Sequence, residues 1–342
     1  MNNREITMLI NQHLLQQMLA QNYVYCHKHP DANLWIYNYT ARTQYDAMWN
    51  EMTMQCRGLI LNEHFEYVAR PFSKFFNLGE RANQILPDEP FEVFEKMDGS
   101  LGILYWIENE PFIATRGSFV SDQATEANVI LREKYSHTFE QLDGSKTYLF
   151  EIIYPQNRIV VDYGKRRDLV LLGVINTATG EEEPLQNIGF PIVKKYGGIE
   201  DIEELKKLEE DNREGFVIRF ESGLRYKVKF KEYLRLHRIV TQVSSTSIWE
   251  YLSTGKSFDE ILEIVPDEWH IWIKVKVEEL TNAYQAVENQ CKNEFKVLEN
   301  RAATANYFNQ QDYPSILFAM LDGKPYEERI WRLVKPEFEM PE

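Results

Sequence analysis

The chain has 342 residues, 44% hydrophobic and 13% aromatic, an ordinary globular composition with room for one large core or two domains. Its formal net charge of −15 argues against a general nucleic-acid binder, because phosphate contacts need lysine and arginine. No apolar run reaches the ~18 residues of a membrane span. The start Met1-Asn2-Asn3-Arg4-Glu5 lacks a secretory pattern, and Cys26, Cys56 and Cys291 read as reduced cytoplasmic thiols without metal-ligand spacing.

Along the chain, Ile6, Leu9, Ile10, Leu14, Leu15 and Met18 predict an amphipathic helix over 3–21. From Leu34 to Tyr39 the pattern is extended and aromatic. Gln55–Leu61 and Phe65–Ala69 read as strands joined by a turn at Asn62-Glu63-His64. Arg70–Leu78 mixes cations with aromatics. Phe91–Lys96 and Leu101–Ile107 read as a hairpin around Asp98-Gly99. Strands follow over 112–115, 147–154, 158–163 and 169–175, with helices over 121–142 and 201–210. Gly215–Glu221 and Leu224–Phe230 form a second hairpin around Ser222-Gly223. Beyond about Ser244 the period lengthens to ~3.6, which predicts helices over 247–252, 258–265, Pro266 to about Arg301, 314–321 and 326–334. The expected class is therefore α+β, with a mixed domain over 1–244 and an all-α domain over 245–342.

Charge is unevenly placed. From Arg213 to Arg238 eight basic residues stand against three acidic ones, whereas 245–342 holds ten basic and eighteen acidic residues. A basic seam inside an acidic protein suits a confined phosphate site.

The chemistry centres on Lys96-Met97-Asp98-Gly99. A lysine becomes nucleophilic when burial or neighbouring cations lower its pKa. Gly99 would let a ligand approach the backbone, and Asp98 could orient the amine or a metal. By itself the stretch reads at least as readily as an exposed hairpin. Leu142-Asp143-Gly144 has Gln141 in place of the lysine, and Leu321-Asp322-Gly323-Lys324 has its lysine on the wrong side. Two further features stand in order after Lys96. Lys227 and Lys229 alternate onto one strand face, where they could neutralise a phosphate. Glu151 and Glu214 sit beside apolar strand residues, as a ribose acceptor and a ligand for hydrated magnesium would. There is no Walker-type phosphate loop, Gly-x-Ser-x-Gly elbow or histidine metal cluster.

Taken in order over roughly 35–240, these stretches resemble the covalent nucleotidyltransferases, above all the ATP-dependent RNA ligases of the phage T4 RNA ligase 1 type and their bacterial relatives. Lys96-Met97-Asp98-Gly99-Ser100 is similar to the nucleophile motif. Cys56-Arg57-Gly58 and Arg70-Pro71-Phe72-Ser73-Lys74-Phe75-Phe76-Asn77 are similar to the stretches that hold ATP phosphates through Arg57 and Lys74, with Phe76 as a nucleotide contact. Arg116-Gly117-Ser118 stands where the family has Lys-Gly-Ser, and arginine differs from lysine in geometry. Phe150–Val160 matches the Pro-x-Asn-Arg motif and makes Glu151 the ribose contact. Glu214-Gly215-Phe216-Val217 matches the metal-linked motif, and Lys227-Val228-Lys229 with Tyr233 the last one.

The resemblance implies a ligase adenylation (nucleotidyltransferase, ATP-grasp-like) domain of antiparallel sheets with flanking helices. It implies a lysyl-AMP on Lys96, formed from ATP with magnesium or manganese, and sealing of RNA 5′-phosphate and 3′-hydroxyl ends. Nicked tRNA and an end-healing kinase-phosphatase protein are the implied partners. A GTP-dependent capping guanylyltransferase and a non-catalytic ligase-like scaffold are the alternatives. The capping reading, like a DNA ligase, lacks its oligonucleotide-binding C-terminal domain here.

Overall fold

The computed structural model describes residues 10–81, 84–199, 201–205, 207–255, 265 and 269–341, with backbone alone at 238–240. Contacts divide the chain into two compact units, Met1–Val240 and Thr241–Glu342. Among the described residues no helix is long and apolar enough to cross a membrane.

The first unit is α+β. Its strands are β1 (Val24–Lys28), β2 (Leu34–Tyr39), β3 (Arg57–Asn62), β4 (Tyr67–Ala69), β5 (Phe76–Asn77), β6 (Phe91–Lys96), β7 (Ser100–Ile107) and β8 (Glu110–Ala114). They continue with β9 (Lys146–Ile153), β10 (Asp168–Asn176), β11 (Glu182–Glu183), β12 (Lys195–Tyr196), β13 (Gly215–Phe220) and β14 (Arg225–Lys229). Three sheets result: β1-β2-β3-β4, β11-β10-β9-β7-β8 and β12-β6-β13-β14-β5. All pairings between these strands are antiparallel except β14 with β5.

Alternation explains how the sheets bury themselves. On the central sheet, Phe150 and Ile152 face the helix Asp122–Tyr135 and pack with its Ile130 and Leu131. The opposite face sends Leu149, Ile103 and Tyr105 against Ile36 and Ile60 of the first sheet. On the third sheet, Val93, Phe216, Ile218, Phe220, Tyr226 and Val228 close a core with Phe230 and Tyr233. Each such side chain contributes roughly 1.5–3 kcal/mol through burial. The alternate residues of that sheet, Phe94, Lys96, Val217, Arg219, Arg225, Lys227 and Lys229, are left on its other face.

Several expectations are corrected. Phe91–Lys96 and Ser100–Ile107 are not a hairpin. β6 pairs with β12 and β13, and β7 with β8 and β9, so Met97-Asp98-Gly99 steps from one sheet to another. The hydrophobic faces decide this, since Val93 belongs to one core and Ile103 to another. Residues 158–163 are not a strand, because the Val160 and Val161 amides donate to the Asp98 carboxylate instead of to a sheet neighbour. Among the described residues the charged helix covers Ile202–Leu205. The first helix runs over Gln12–Ala20, and the rest of its expected start at residues 3–9 lies outside the described residues. Pattern reading passed over β1, β5, β11, β12 and the helices Ala41–Tyr45, Glu51–Gln55 and Lys231–Thr241.

In the second unit the described residues form helices Ser245–Thr254, His270–Glu294, Arg301–Phe308, Pro314–Leu321 and Glu327–Leu333. Cys291, Phe308, Ile316, Leu317 and Ile330 form its core. The helix expected over 258–265 lies outside the described residues but for Val265. The long helix is shorter than expected: a separate helix begins at Arg301, capped by Asn300.

Candidate active site

β6 carries Lys96 to the edge of its strand, and register fixes its neighbours. Gly215 of β13 stands opposite Lys96 on one side and Lys229 of β14 on the other. Gly215 has φ +148°, and a side chain there would meet the Val228 carbonyl oxygen at 2.0 Å. Only glycine permits that approach. Glu214, just before it, is thereby held between two ammonium groups. Lys96 Nζ lies 2.8 Å from Glu214 Oε2, and Lys229 Nζ lies 3.9 Å from Glu214 Oε1.

Glu151 of β9 reaches the same cluster from the central sheet. Burial pushes its carboxyl up to about 8, with Lys96 and Arg57 pulling it down and the charges of Glu214 and Asp98 pushing it further up. Burial also raises Glu214, against the pull of Lys96 and Lys229. Glu214, held against Lys96, offers hard carboxylate oxygens of the kind a divalent cation takes. Among the described residues no three His, Cys, Asp or Glu side chains gather to cage a metal. Magnesium does not need a cage, since it keeps several waters and takes one or two carboxylates.

The remaining cations are held by aromatic rings. Arg57 lies 5.7 Å and Lys227 5.9 Å from the Phe75 ring centre. Lys74 is buried, with Nζ 5.3 Å from Phe76, 5.5 Å from Trp49 and 6.0 Å from Tyr39. The Arg116 guanidinium lies 5.5 Å from the same Tyr39 ring. Its backbone faces Gly58, next to Arg57. Phe76 is itself buried and packs edge-to-face on Trp49.

Three expected residues take supporting positions. Asp98 is buried, and its Oδ2 accepts from Val160 N at 2.8 Å and Val161 N at 2.7 Å. Its Oδ1 accepts from the Tyr233 hydroxyl at 2.9 Å. Asp98 and Tyr233 therefore lock the stretch after Lys96 to the 160–161 loop and to the helix Lys231–Thr241. A side chain on Gly99 would meet Ile152 O at 2.6 Å, so the backbone there lies close against β9.

A family model described as RNA ligase matches residues 55–234, just over half of the chain. The chain belongs to the RNA ligase family. An RNA ligase of Rhodothermus phage RM378 is 24% identical over 345 aligned positions, covering 78% of this chain and 76% of the phage protein. A protein of Autographa californica nuclear polyhedrosis virus, assigned as a bifunctional polynucleotide kinase/RNA ligase, is 28% identical over 248 positions. That match covers 63% of this chain and 35% of the viral protein. An RNA ligase of Naegleria gruberi, solved with ATP and manganese, is 19% identical over 44% of this chain and 52% of that one, with a TM-score of 0.37. The chain thus spans about a third of the viral relative and about half of the Naegleria chain.

Every candidate residue of this RNA ligase family member, from Arg57 to Tyr233, falls inside the matched stretch. Tyr39, Trp49 and Phe75 also stand at the site, and the sequence reading gave them no role. Tyr39 and Trp49 lie outside every motif. Phe75 carried a signal, since it directly precedes Phe76 in a cation-aromatic run.

Proposed function

We propose that the chain is an ATP-dependent RNA ligase that works through a lysyl-AMP on Lys96. The observation that carries this reading is the row of Lys96, Glu214 and Lys229 at the ends of β6 and β14 and just before β13, with Glu151 facing it from a second sheet. Once deprotonated, the Lys96 amine attacks the α-phosphorus of ATP, forming a phosphorus–nitrogen bond as the bond to pyrophosphate breaks. Lys229 and Lys227 stabilise the charge that develops on the phosphoryl oxygens. Arg57, Lys74 and Arg116, set on aromatic rings, hold the departing phosphates. Glu151 accepts a hydrogen bond from the ribose. Glu214 would hold magnesium or manganese, which when bound neutralises phosphate charge.

AMP then passes to an RNA 5′-phosphate, and a 3′-hydroxyl displaces it to form the phosphodiester. Asp98 and Tyr233 act as positioning residues for the turn after Lys96. Nicked tRNA, a cytoplasmic location that keeps the three free cysteines reduced, and an end-healing kinase-phosphatase partner complete the proposal. A kinase function joined to a ligase in the viral relative supports that last element.

Incubation with α-labelled ATP and magnesium tests the reading. Label that survives denaturation and is lost in Lys96→Ala is the expected result. Labelling by GTP alone would indicate capping chemistry, and no labelling of folded protein would indicate a scaffold.

A further inference from the structure

A cavity of roughly 1090 Å³ opens beside β5 in the first unit, lined among others by Arg70, Phe72, Phe75, Arg81 and Gln84. Lys74 and Phe76 also line it, but Lys96, Glu151, Glu214, Lys227 and Lys229 do not. It is therefore a second volume that adjoins the reactive row through the Lys74–Phe76 segment.

Its polar groups are poised for an anion. Arg70 Nε and Nη2 and Gln84 Nε2 are buried and donate to no acceptor among the described residues. Arg70 stacks its guanidinium 3.4 Å from the centre of the Tyr67 ring. Gly180, at φ +79°, makes room for it, because a side chain there would meet Arg70 Nη1 at 2.6 Å. Buried donors left without acceptors are costly, and a ligand that accepts from them recovers that cost. Arg219 and Arg225, which also line the cavity, share Glu182. Arg70 and Arg81 make no ion pair among the described residues, and although Glu181 and Glu221 also line the cavity, its five cations, with Lys74, outnumber its three carboxylates.

Phosphate oxygens match these donors, and either ATP or an RNA strand could bring them. Two observations favour the strand. The row that would hold the α-phosphate lies outside the cavity, which among the residues assigned to ATP is lined only by Lys74 and Phe76, and the volume is at the upper end of what a single small ligand fills, about 1,000 Å³. Cations interleaved with aromatic walls, here Phe72 and Phe75, are the lining that single-stranded nucleic acid uses.

We propose that this cavity seats the sugar-phosphate backbone of the RNA to be joined, with a backbone phosphate on Arg70 and Gln84 and Arg81 at its exposed edge. The proposal rests on the ligase reading above. The test uses the full chain carrying Arg70→Gln, Gln84→Leu or the exposed-site change Arg81→Glu. Lysyl-AMP formation from ATP alone is measured beside the KM for a 5′-phosphorylated RNA oligonucleotide in sealing. The expected result is a KM for RNA raised about tenfold in Arg70→Gln, the effect of losing one charged hydrogen bond, with lysyl-AMP formation within twofold of wild type. A parallel loss of lysyl-AMP formation in Arg81→Glu and Arg70→Gln would assign the cavity to the ATP phosphates and overturn the proposal. An unchanged KM for RNA in all three variants would overturn it too. If the wild-type chain forms no lysyl-AMP, the ligase reading fails separately. Fluorescence anisotropy with the same oligonucleotide then decides the cavity: weakened binding in Arg70→Gln upholds it and equal binding sinks it.

Discussion

Glu151 shows how a single side chain records its surroundings. Its carboxyl moves from an ordinary 4.5 up to about 8, chiefly because burial disfavours the charge. The folded value lies above the unfolded one, so between those two pH values the folded chain keeps a proton that the unfolded chain releases. The associated stability is fully present below about pH 4.5 and is lost as the pH rises through about 8. Thermal melts of the wild type should therefore fall between pH 5 and 8. Glu151→Gln, which has no proton to lose, should show a flatter profile. Equal slopes for the two proteins would mean that Glu151 is not held in its neutral form. At this scale the sequence singled out Lys96, Glu151, Glu214, Lys227 and Lys229 by type and order, and folding gathers Lys96, Glu214 and Lys229 with Glu151 near them. Tyr39 and Trp49 were not legible, because only folding brings their rings to Lys74.

At the scale of elements, the site depends on two backbone devices. The first is the tight β13–β14 contact at Gly215. Gly215→Ala adds a side chain where the Val228 carbonyl already stands, so it should destabilise the protein by roughly 2–4 kcal/mol and displace Glu214. Urea unfolding reads the stability, and labelling with ATP reads the displacement. The second device is the Asp98 carboxylate, which fastens residues 160–161. Asp98→Ala leaves those two amides without their acceptor, at a cost on the order of 1–3 kcal/mol each. Hydrogen exchange at Val160 and Val161 should then rise well above that in β9, and unchanged protection would remove Asp98 from this role. The strand expected over 158–163 failed for the same reason. Val160 and Val161 look like strand residues, but a carboxylate distant in sequence takes their amide hydrogens.

At the scale of the whole molecule, every candidate residue lies between Arg57 and Tyr233, within the unit Met1–Val240. A fragment of residues 1–244, which keeps the helix Lys231–Thr241 complete, should form lysyl-AMP at a rate within about tenfold of the full chain. Loss of labelling in a fragment that still melts cooperatively would show that the helical unit is needed for the first chemical step. The acidic balance of residues 245–342 gives that unit a different electrostatic character from the basic seam over 213–238.

The sequence by itself determined the chemistry available: one lysine before an Asp-Gly step, two carboxylates, a lysine pair and an upstream cation-aromatic run, all in family order. It also determined the split between period-two and period-3.6 regions, because alternation is a local property of the chain. The tertiary structure decided where that chemistry meets. Lys96 reads locally as one arm of a hairpin, yet the strands on either side of Asp98-Gly99 enter different sheets. That choice comes from burial of faces assembled from distant segments, which no local window contains. The same packing sets β13 beside β6 and puts the Glu214 carboxylate against the Lys96 amine.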